Sequence, residues 1–264
     1  MSDTINKGIT CEFLDDCDIV WDRPDSLLDT RLHYCPGCGH SVVHRLLMEV
    51  VDELGIRDRT IGIAPVGCSV FAYNYLNIDM QQAAHGRATA VATGIKRVRP
   101  DRIVFTYQGD GDLAAIGTGE TIHTVNRGEN IVIIFINNGI YGMTGGQMAP
   151  TTLPGVKTST TTSGRDVSIH GHPLKIAEML ALLPGAYYVT RTSVISANHV
   201  RKTKKALLKA FKYQMEGKGG VSFVEVVSNC PAGWKMTPVD SNKWLETNVF
   251  DNFPLGDIKL PVKD

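Results

Sequence analysis

Apolar positions along the chain alternate between two rhythms. Val42, Val43, Leu46, Leu47, Val50, Val51 and Leu54 recur at helical spacing, and Gly55 follows where a glycine commonly ends a helix. Thr60 to Ala64 is then a short apolar run, read as a buried strand. The alternation repeats, with a helix expected from Gly86 to Val98, a strand from Arg102 to Tyr107 and a helix from Asp112 to Asn126. Asn130 to Ile136 follows as a strand too apolar to have a wet face. A helix near 173–183, a strand near 186–190, a basic helix at 196–216 and a last strand, Val221 to Val227, complete the pattern. Continuous apolar strands separated by helices predict an α/β fold, a parallel sheet with helices on both faces.

Two stretches fall outside this rhythm. Residues 1–34 contain Pro24 and show no periodicity, and they are expected to form an N-terminal arm lying on a partner or on the domain. Residues 35–264 are expected to form one domain. Within it, 137 to about 171 are rich in Gly and Thr and too long for a mere connector, and long ordered loops in compact domains are usually functional.

Composition narrows the function classes. At 264 residues, with 43% hydrophobic and 20% charged, the chain can bury one sizeable core. Its 27 basic and 27 acidic residues cancel, which argues against nucleic acid or an anionic membrane as a partner. No stretch approaches the roughly 20 apolar residues of a membrane span, and the N-terminus lacks the basic-then-apolar order of a signal peptide. A cytoplasmic protein is expected. In that compartment the six cysteines are better read as reduced ligands or catalysts than as disulfides.

The strand ending in Gln108 runs into Gly109-Asp110-Gly111-Asp112, and the next strand runs into Asn137-Asn138. Both motifs therefore sit at the carboxyl ends of parallel strands, where open α/β sheets bind ligands. Glycines at such a turn let the backbone approach a diphosphate, and the helix start beyond offers free N–H groups. Asp110 is a hard oxygen ligand suited to Mg²⁺, which would need further oxygens such as the Asn138 amide and a main-chain carbonyl just beyond it. A lone GDG is also an ordinary turn. The ordered pair, 28 residues from Asp110 to Asn138, resembles the motif of thiamine-diphosphate enzymes. That resemblance implies Asp110, Asn138 and the Ile140 carbonyl as metal ligands, with Gly109, Gly111, Asp112, Gly142 and Met143 lining the cofactor.

Cys35-Pro-Gly-Cys38 is a tight clip, and Cys68 and Cys230 stand at loop positions after strands. Four thiolates from three loops suit a tetrahedral Zn²⁺ or a cubane cluster, and spacing alone does not choose between them. CxxC is equally a dithiol redox pair, and Cys11 and Cys17 read as inert small hydrophobes.

YCPGCGH, PVGCSVF, the HGRA at His85 to Ala88, GDGDLAAIG and NNGIYGMTGGQMAPTT together resemble, in order, the β subunits of 2-oxoacid:ferredoxin oxidoreductases. The resemblance covers about residues 33–231. It implies a thiamine-diphosphate-binding fold and a [4Fe-4S] cluster on Cys35, Cys38, Cys68 and Cys230. It also implies that Val66, Gly67, Cys68 and Ser69 touch the cofactor, and that His85 and Arg87 face the reacting centre or a phosphate. The activity implied is oxidative decarboxylation of a 2-oxoacid to an acyl-coenzyme A, with electrons passing through the cluster to ferredoxin.

Thiamine enzymes activate the aminopyrimidine from a second, pyrimidine-binding domain, and this chain is long enough for the diphosphate-binding one alone. An α subunit, and further small subunits, are therefore expected as partners. Gly145 stands where some relatives carry a lysine, yet the MTGGQMAPTT form resembles 2-oxoglutarate-specific relatives. 2-Oxoglutarate is thus the first expectation, 2-oxoisovalerate the second and pyruvate the third. Tyr141 is read as packing beside the cofactor, and Lys202, Lys204, Lys205, Lys209 and Lys212 as the solvated face of a helix. Two rival readings remain, a non-oxidative thiamine decarboxylase or synthase, and a zinc-binding structural subunit.

Overall fold

The computed structural model describes residues 22–261. Residue 22 onward runs irregularly over the domain, with Leu28 N–H bonded to the Tyr75 carbonyl at 2.8 Å and Ser26 bonded to Asp52. The first helix, α1 (Gly39–Glu53), leads into β1 (Thr60–Ala64), the edge strand β2 (Asp79–Gln82) and α2 (Ala88–Val98). Next come β3 (Ile103–Gly109), α3 (Asp110–Ala114), α4 (Thr118–Asn126) and β4 (Val132–Asn137). A small hairpin, β5 (Ile140–Tyr141) with β6 (Gln147–Met148), opens the long Gly- and Thr-rich loop. The loop carries one turn of helix, α5 (Val167–His170). The chain continues through α6 (Ile176–Ala181), β7 (Ala186–Ser193), α7 (Ala197–Glu216) and β8 (Val221–Val227). It ends in α8 (Pro231–Trp234), α9 (Pro238–Trp244) and β9 (Gly256–Lys259).

Seven strands form one sheet in the order β2-β1-β3-β4-β8-β7-β9, parallel throughout except for β9 against β7. The central strands are apolar on both faces for a direct reason. Val132, Ile134 and Ile136 of β4 enter the core beneath α1 and α7, while Ile133 and Phe135 enter the core beneath α2 and α6. Each such buried side chain stabilises the sheet by about 1.5–3 kcal/mol. A third, smaller cluster, Leu153, Val227, Leu245, Val249 and Phe253, roofs the carboxyl ends of the strands.

Three sequence expectations change. The single helix expected from Asp112 to Asn126 is broken at 115–117, because the loop at Gly86 packs into the gap. A side chain at Gly117 would stand 2.2 Å from the Asp112 carbonyl oxygen and 2.8 Å from that of Gly86. Val221–Val227 is not the last strand, since β9 follows and closes the far edge. The lysines of α7 are not all solvated. Lys204 bridges Glu49 and Glu53 of α1 at 3.2 Å each, and Lys209 pairs with Asp257 at 3.1 Å above the Tyr188 ring. No helix among the described residues is long and apolar enough to cross a membrane.

Candidate active site

A cavity of about 310 Å³ opens at the carboxyl ends of β1, β3 and β4. The loop after β1 brings Val66, Gly67, Cys68 and Ser69 to its wall. The β3–α3 turn brings Gly109, Asp110, Gly111 and Asp112, and the segment after β4 brings Asn138, Ile140, Tyr141 and Met143. Twelve of these residues stand on three separate loops that share nothing in sequence but their place after a strand.

Asp110 lies at the floor, 4% exposed. Its carboxylate accepts from the Asn138 N–H at 3.3 Å, the Ile140 N–H at 3.0 Å and the Thr151 hydroxyl at 3.0 Å. Burial dominates these bonds and pushes the Asp110 carboxyl up to about 7. A buried carboxylate surrounded by neutral donors carries a charge that only a cation balances. Asp110 with the adjacent Asn138 and Ile140 therefore fits a hard divalent cation such as Mg²⁺. The end of β4 is itself pinned, since Asn137 donates to Glu225 at 2.7 Å and Glu225 accepts from the fully buried Arg191 at 2.7 Å.

Asp112 borders the same cavity but turns its carboxylate inward, onto the Val66 and Gly86 N–H groups, His85 and Gln108. It joins its own β3–α3 turn to the loops at Val66 and at His85–Gly86. His85 stands on the cavity wall, whereas Arg87 points away, pairing with Glu120 at 2.7 Å and reaching the Ile116 carbonyl. Of the two residues expected to face the reacting centre or a phosphate, the structure places His85 at the cavity wall and Arg87 on Glu120. The reason is that Gly86 between them takes a positive φ of 76° and reverses the chain.

The thiols of Cys35, Cys38, Cys68 and Cys230 gather beside this cavity, each close enough to feel the charge of others in the set. Cys38 caps the start of α1 and Cys230 the start of α8, while Cys35 is exposed. Burial pushes the Cys38 thiol up to about 11 and Cys230 up to about 12. Such thiols are stable as protonated groups unless a metal replaces the proton, which is the donor chemistry of a thiolate-bound centre. Among the described residues no group of three or more Cys, His, Asp or Glu side chains is disposed to hold a single metal ion. Cys11 and Cys17 lie outside the described residues.

Gly142 lies against two of these thiols. A side chain there would stand 2.9 Å from the Cys230 sulfur and 3.7 Å from that of Cys68. Sequence reasoning missed two participants. His40 lines the cavity and bonds Tyr107 through Nδ1 at 2.9 Å, although the YCPGCGH motif displayed it. Thr151 gave no signal, being one threonine among many.

Residues 65–226 match the thiamine pyrophosphate enzyme, C-terminal TPP binding domain. Fold and site thus define a thiamine-diphosphate-binding domain. The ketoisovalerate oxidoreductase subunit VorA of Methanothermobacter thermautotrophicus is 45% identical over 91% of this chain and 50% of its own length. The 2-oxoglutarate synthase subunit KorB of Archaeoglobus fulgidus is 38% identical over 86% of this chain and 80% of its own. The chain spans about half the length of the first of these and most of the second. The solved 2-oxoglutarate:ferredoxin oxidoreductase of Magnetococcus marinus, with 2-oxoglutarate, coenzyme A and succinyl-CoA bound, superimposes with a TM-score of 0.73. It is 29% identical, covering 86% of this chain and 73% of that one. The chain belongs to the family of β subunits of 2-oxoacid:ferredoxin oxidoreductases.

Proposed function

We propose that this chain holds thiamine diphosphate, Mg²⁺ and a [4Fe-4S] cluster for the oxidative decarboxylation of a 2-oxoacid to its acyl-coenzyme A, with ferredoxin as electron acceptor. The observation that carries the reading is Cys68, which lines the cavity and also belongs to the four-thiol set. A non-oxidative thiamine enzyme has no use for such a set, and a structural zinc subunit has no use for the cavity. When bound, thiamine diphosphate supplies the electron sink for loss of CO₂ and the cluster a one-electron acceptor beside it.

The chain's own residues would do the rest. Asp110, Asn138 and Ile140 hold the metal and through it the diphosphate, Gly109 and Gly111 keep the turn low, and Cys35, Cys38, Cys68 and Cys230 hold iron. An α subunit supplies the pyrimidine-binding domain, and the assembly works in the cytoplasm.

For the substrate, the cavity lining favours 2-oxoisovalerate over 2-oxoglutarate, reversing the order expected from the sequence. Among the described residues no lysine or arginine lines the cavity, and Ala115, Ile116 and Met143 give it an apolar wall. A distal carboxylate would find no cationic side chain among these lining residues, while a branched acyl group would find contact. The VorA relative, named for ketoisovalerate, agrees with that order.

The test is reconstitution with the α subunit under anaerobic conditions. The complex should reduce viologen with a 2-oxoacid and coenzyme A, whereas the isolated chain should not, and kcat/KM should be highest for 2-oxoisovalerate. Turnover by the isolated chain contradicts the two-subunit site. A tenfold preference for 2-oxoglutarate, about 1.4 kcal/mol in transition-state binding, overturns the substrate order.

A further inference from the structure

Three charged side chains meet on one face of the sheet, and their hydrogen bonds end beside the proposed metal site. Arg191 of β7 has no exposed side-chain surface. It grips Glu178 of α6 through both terminal nitrogens at 2.9 and 2.6 Å, donates from Nε to Glu225 Oε2 at 2.7 Å, and lies over the Phe253 ring. Glu225 of β8, its side chain 1% exposed, turns its other oxygen to Asn137, whose amide donates at 2.7 Å. The row thus runs from α6 across β7 and β8 to the last residue of β4.

Stability alone does not account for it. A buried ion pair exchanged for apolar side chains of similar volume often leaves a fold as stable or more so, and Ile133 and Phe135 on the same face are apolar. What the row supplies is direction. Successive side chains of a strand point to opposite faces. Ile133 and Phe135 enter the core beneath α2 and α6, and Ile134 and Ile136 enter the one beneath α1 and α7. Asn137 continues the first series, and Glu225, whose strand partner in β4 is Phe135, holds it there. Residue 138 is thereby delivered to the opposite face, where Asn138 lines the cavity and its N–H reaches Asp110 at 3.3 Å. The Ile140 N–H reaches the same carboxylate at 3.0 Å. The ladder with β8 ends at Asn137, paired with Val227, so the side-chain bond acts at the point where strand pairing stops.

We infer that Arg191 and Glu225 are positioning residues for the metal site, holding the Asn137 amide on the α6 face of the sheet and so aiming Asn138 and Ile140 at Asp110. The inference rests on the reading of Asp110, Asn138 and Ile140 as metal ligands. Asn137 has no ionisable proton, and the link is one of hydrogen-bond direction.

Two variants separate aim from stability. Glu225→Gln keeps a hydrogen bond to the Asn137 amide in either orientation of the two amides but removes the charge opposite Arg191, so the chain should lose stability and keep its aim. Arg191→Met combined with Glu225→Leu removes both buried charges together and leaves Asn137 without its acceptor, so the chain should stay folded and lose its aim. Asn137→Ala cuts the same bond, leaves the ion pair intact, and serves if the double variant fails to fold. In the full chain with thiamine diphosphate, Mn²⁺ affinity followed by EPR should stay within about twofold of wild type in Glu225→Gln and weaken about tenfold in the double variant and in Asn137→Ala. The urea midpoint should fall further in Glu225→Gln than in the double variant. In the ligand-free chain, hydrogen exchange at the Asn138 and Ile140 amides should quicken in the double variant and in Asn137→Ala, and stay unchanged in Glu225→Gln. Affinity that tracks the urea midpoint across the variants, or wild-type affinity in Asn137→Ala, overturns the inference. A wild-type chain that binds no Mn²⁺ would sink the metal reading instead, and the exchange rates would still decide the Asn137 anchor.

Discussion

Thr151 gives its hydroxyl hydrogen to Asp110 Oδ2 at 3.0 Å across 41 residues of sequence, and both side chains are buried. The bond is held from behind. Arg165, 4% exposed, donates to the carbonyls of Ala149, Pro150 and Thr152, so the loop that carries Thr151 is clamped at three points around it. The long Thr-rich loop is thus one wall of the proposed metal site.

Thr151→Val keeps the volume and removes this donor. Thiamine diphosphate with Mg²⁺ should bind about fivefold more weakly, near 1 kcal/mol for one hydrogen bond to a buried carboxylate. Asp110→Ala should weaken binding by more than about 100-fold while leaving the fold intact, because it deletes the anionic side chain proposed as a metal ligand. Calorimetric titration of both variants checks the pair, and wild-type affinity in Asp110→Ala would refute the ligand assignment.

Replacing Cys35, Cys38, Cys68 or Cys230 by Ser, one at a time, should strip or damage the proposed iron–sulfur cluster. Cys11→Ser and Cys17→Ser should leave it whole. Iron per chain and the absorption near 400 nm, where a cluster is roughly expected to absorb, are the readouts. A centre that survives loss of Cys230 but not of Cys17 would name a different fourth ligand.

Gly142→Ala replaces none of the proposed ligands, yet its methyl group would stand 2.9 Å from the Cys230 sulfur. Iron content should fall although all four cysteines remain. Full iron occupancy with unchanged stability to air would show that the cysteines can move aside.

His44 is fully buried, and desolvation holds its ring down to about 3. The unfolded chain binds a proton there below about pH 6.5 while the folded chain does not, so stability falls as pH drops from about 6.5 toward 3. His44→Gln, which has no such proton, should make that decline shallower by up to ~1.4 kcal/mol per pH unit. Urea denaturation between pH 5 and 7 measures the slope, and equal slopes for both proteins would contradict the assignment.

What the sequence by itself determined was whatever depends on a strand or motif in isolation. β1 and β8 lie where their largely apolar runs placed them, because a strand covered by helices on both faces is apolar along most of its length. The GDGD and NN pairs were legible because each follows such a strand, so their meeting was implied by parallel order alone. Tertiary structure decided the rest. β2 and β9 lie at sheet edges, where half-exposed residues such as Asp79 and Asp257 write no period. The break before α4 exists because another loop occupies the space. The direction of Arg87 is set by Glu120, 33 positions away, and the inward turn of Asp112 by donors from two other loops. Hydrophobic period is a property of neighbours along the chain, whereas the pairing of a buried charge depends on which donors the fold brings to it.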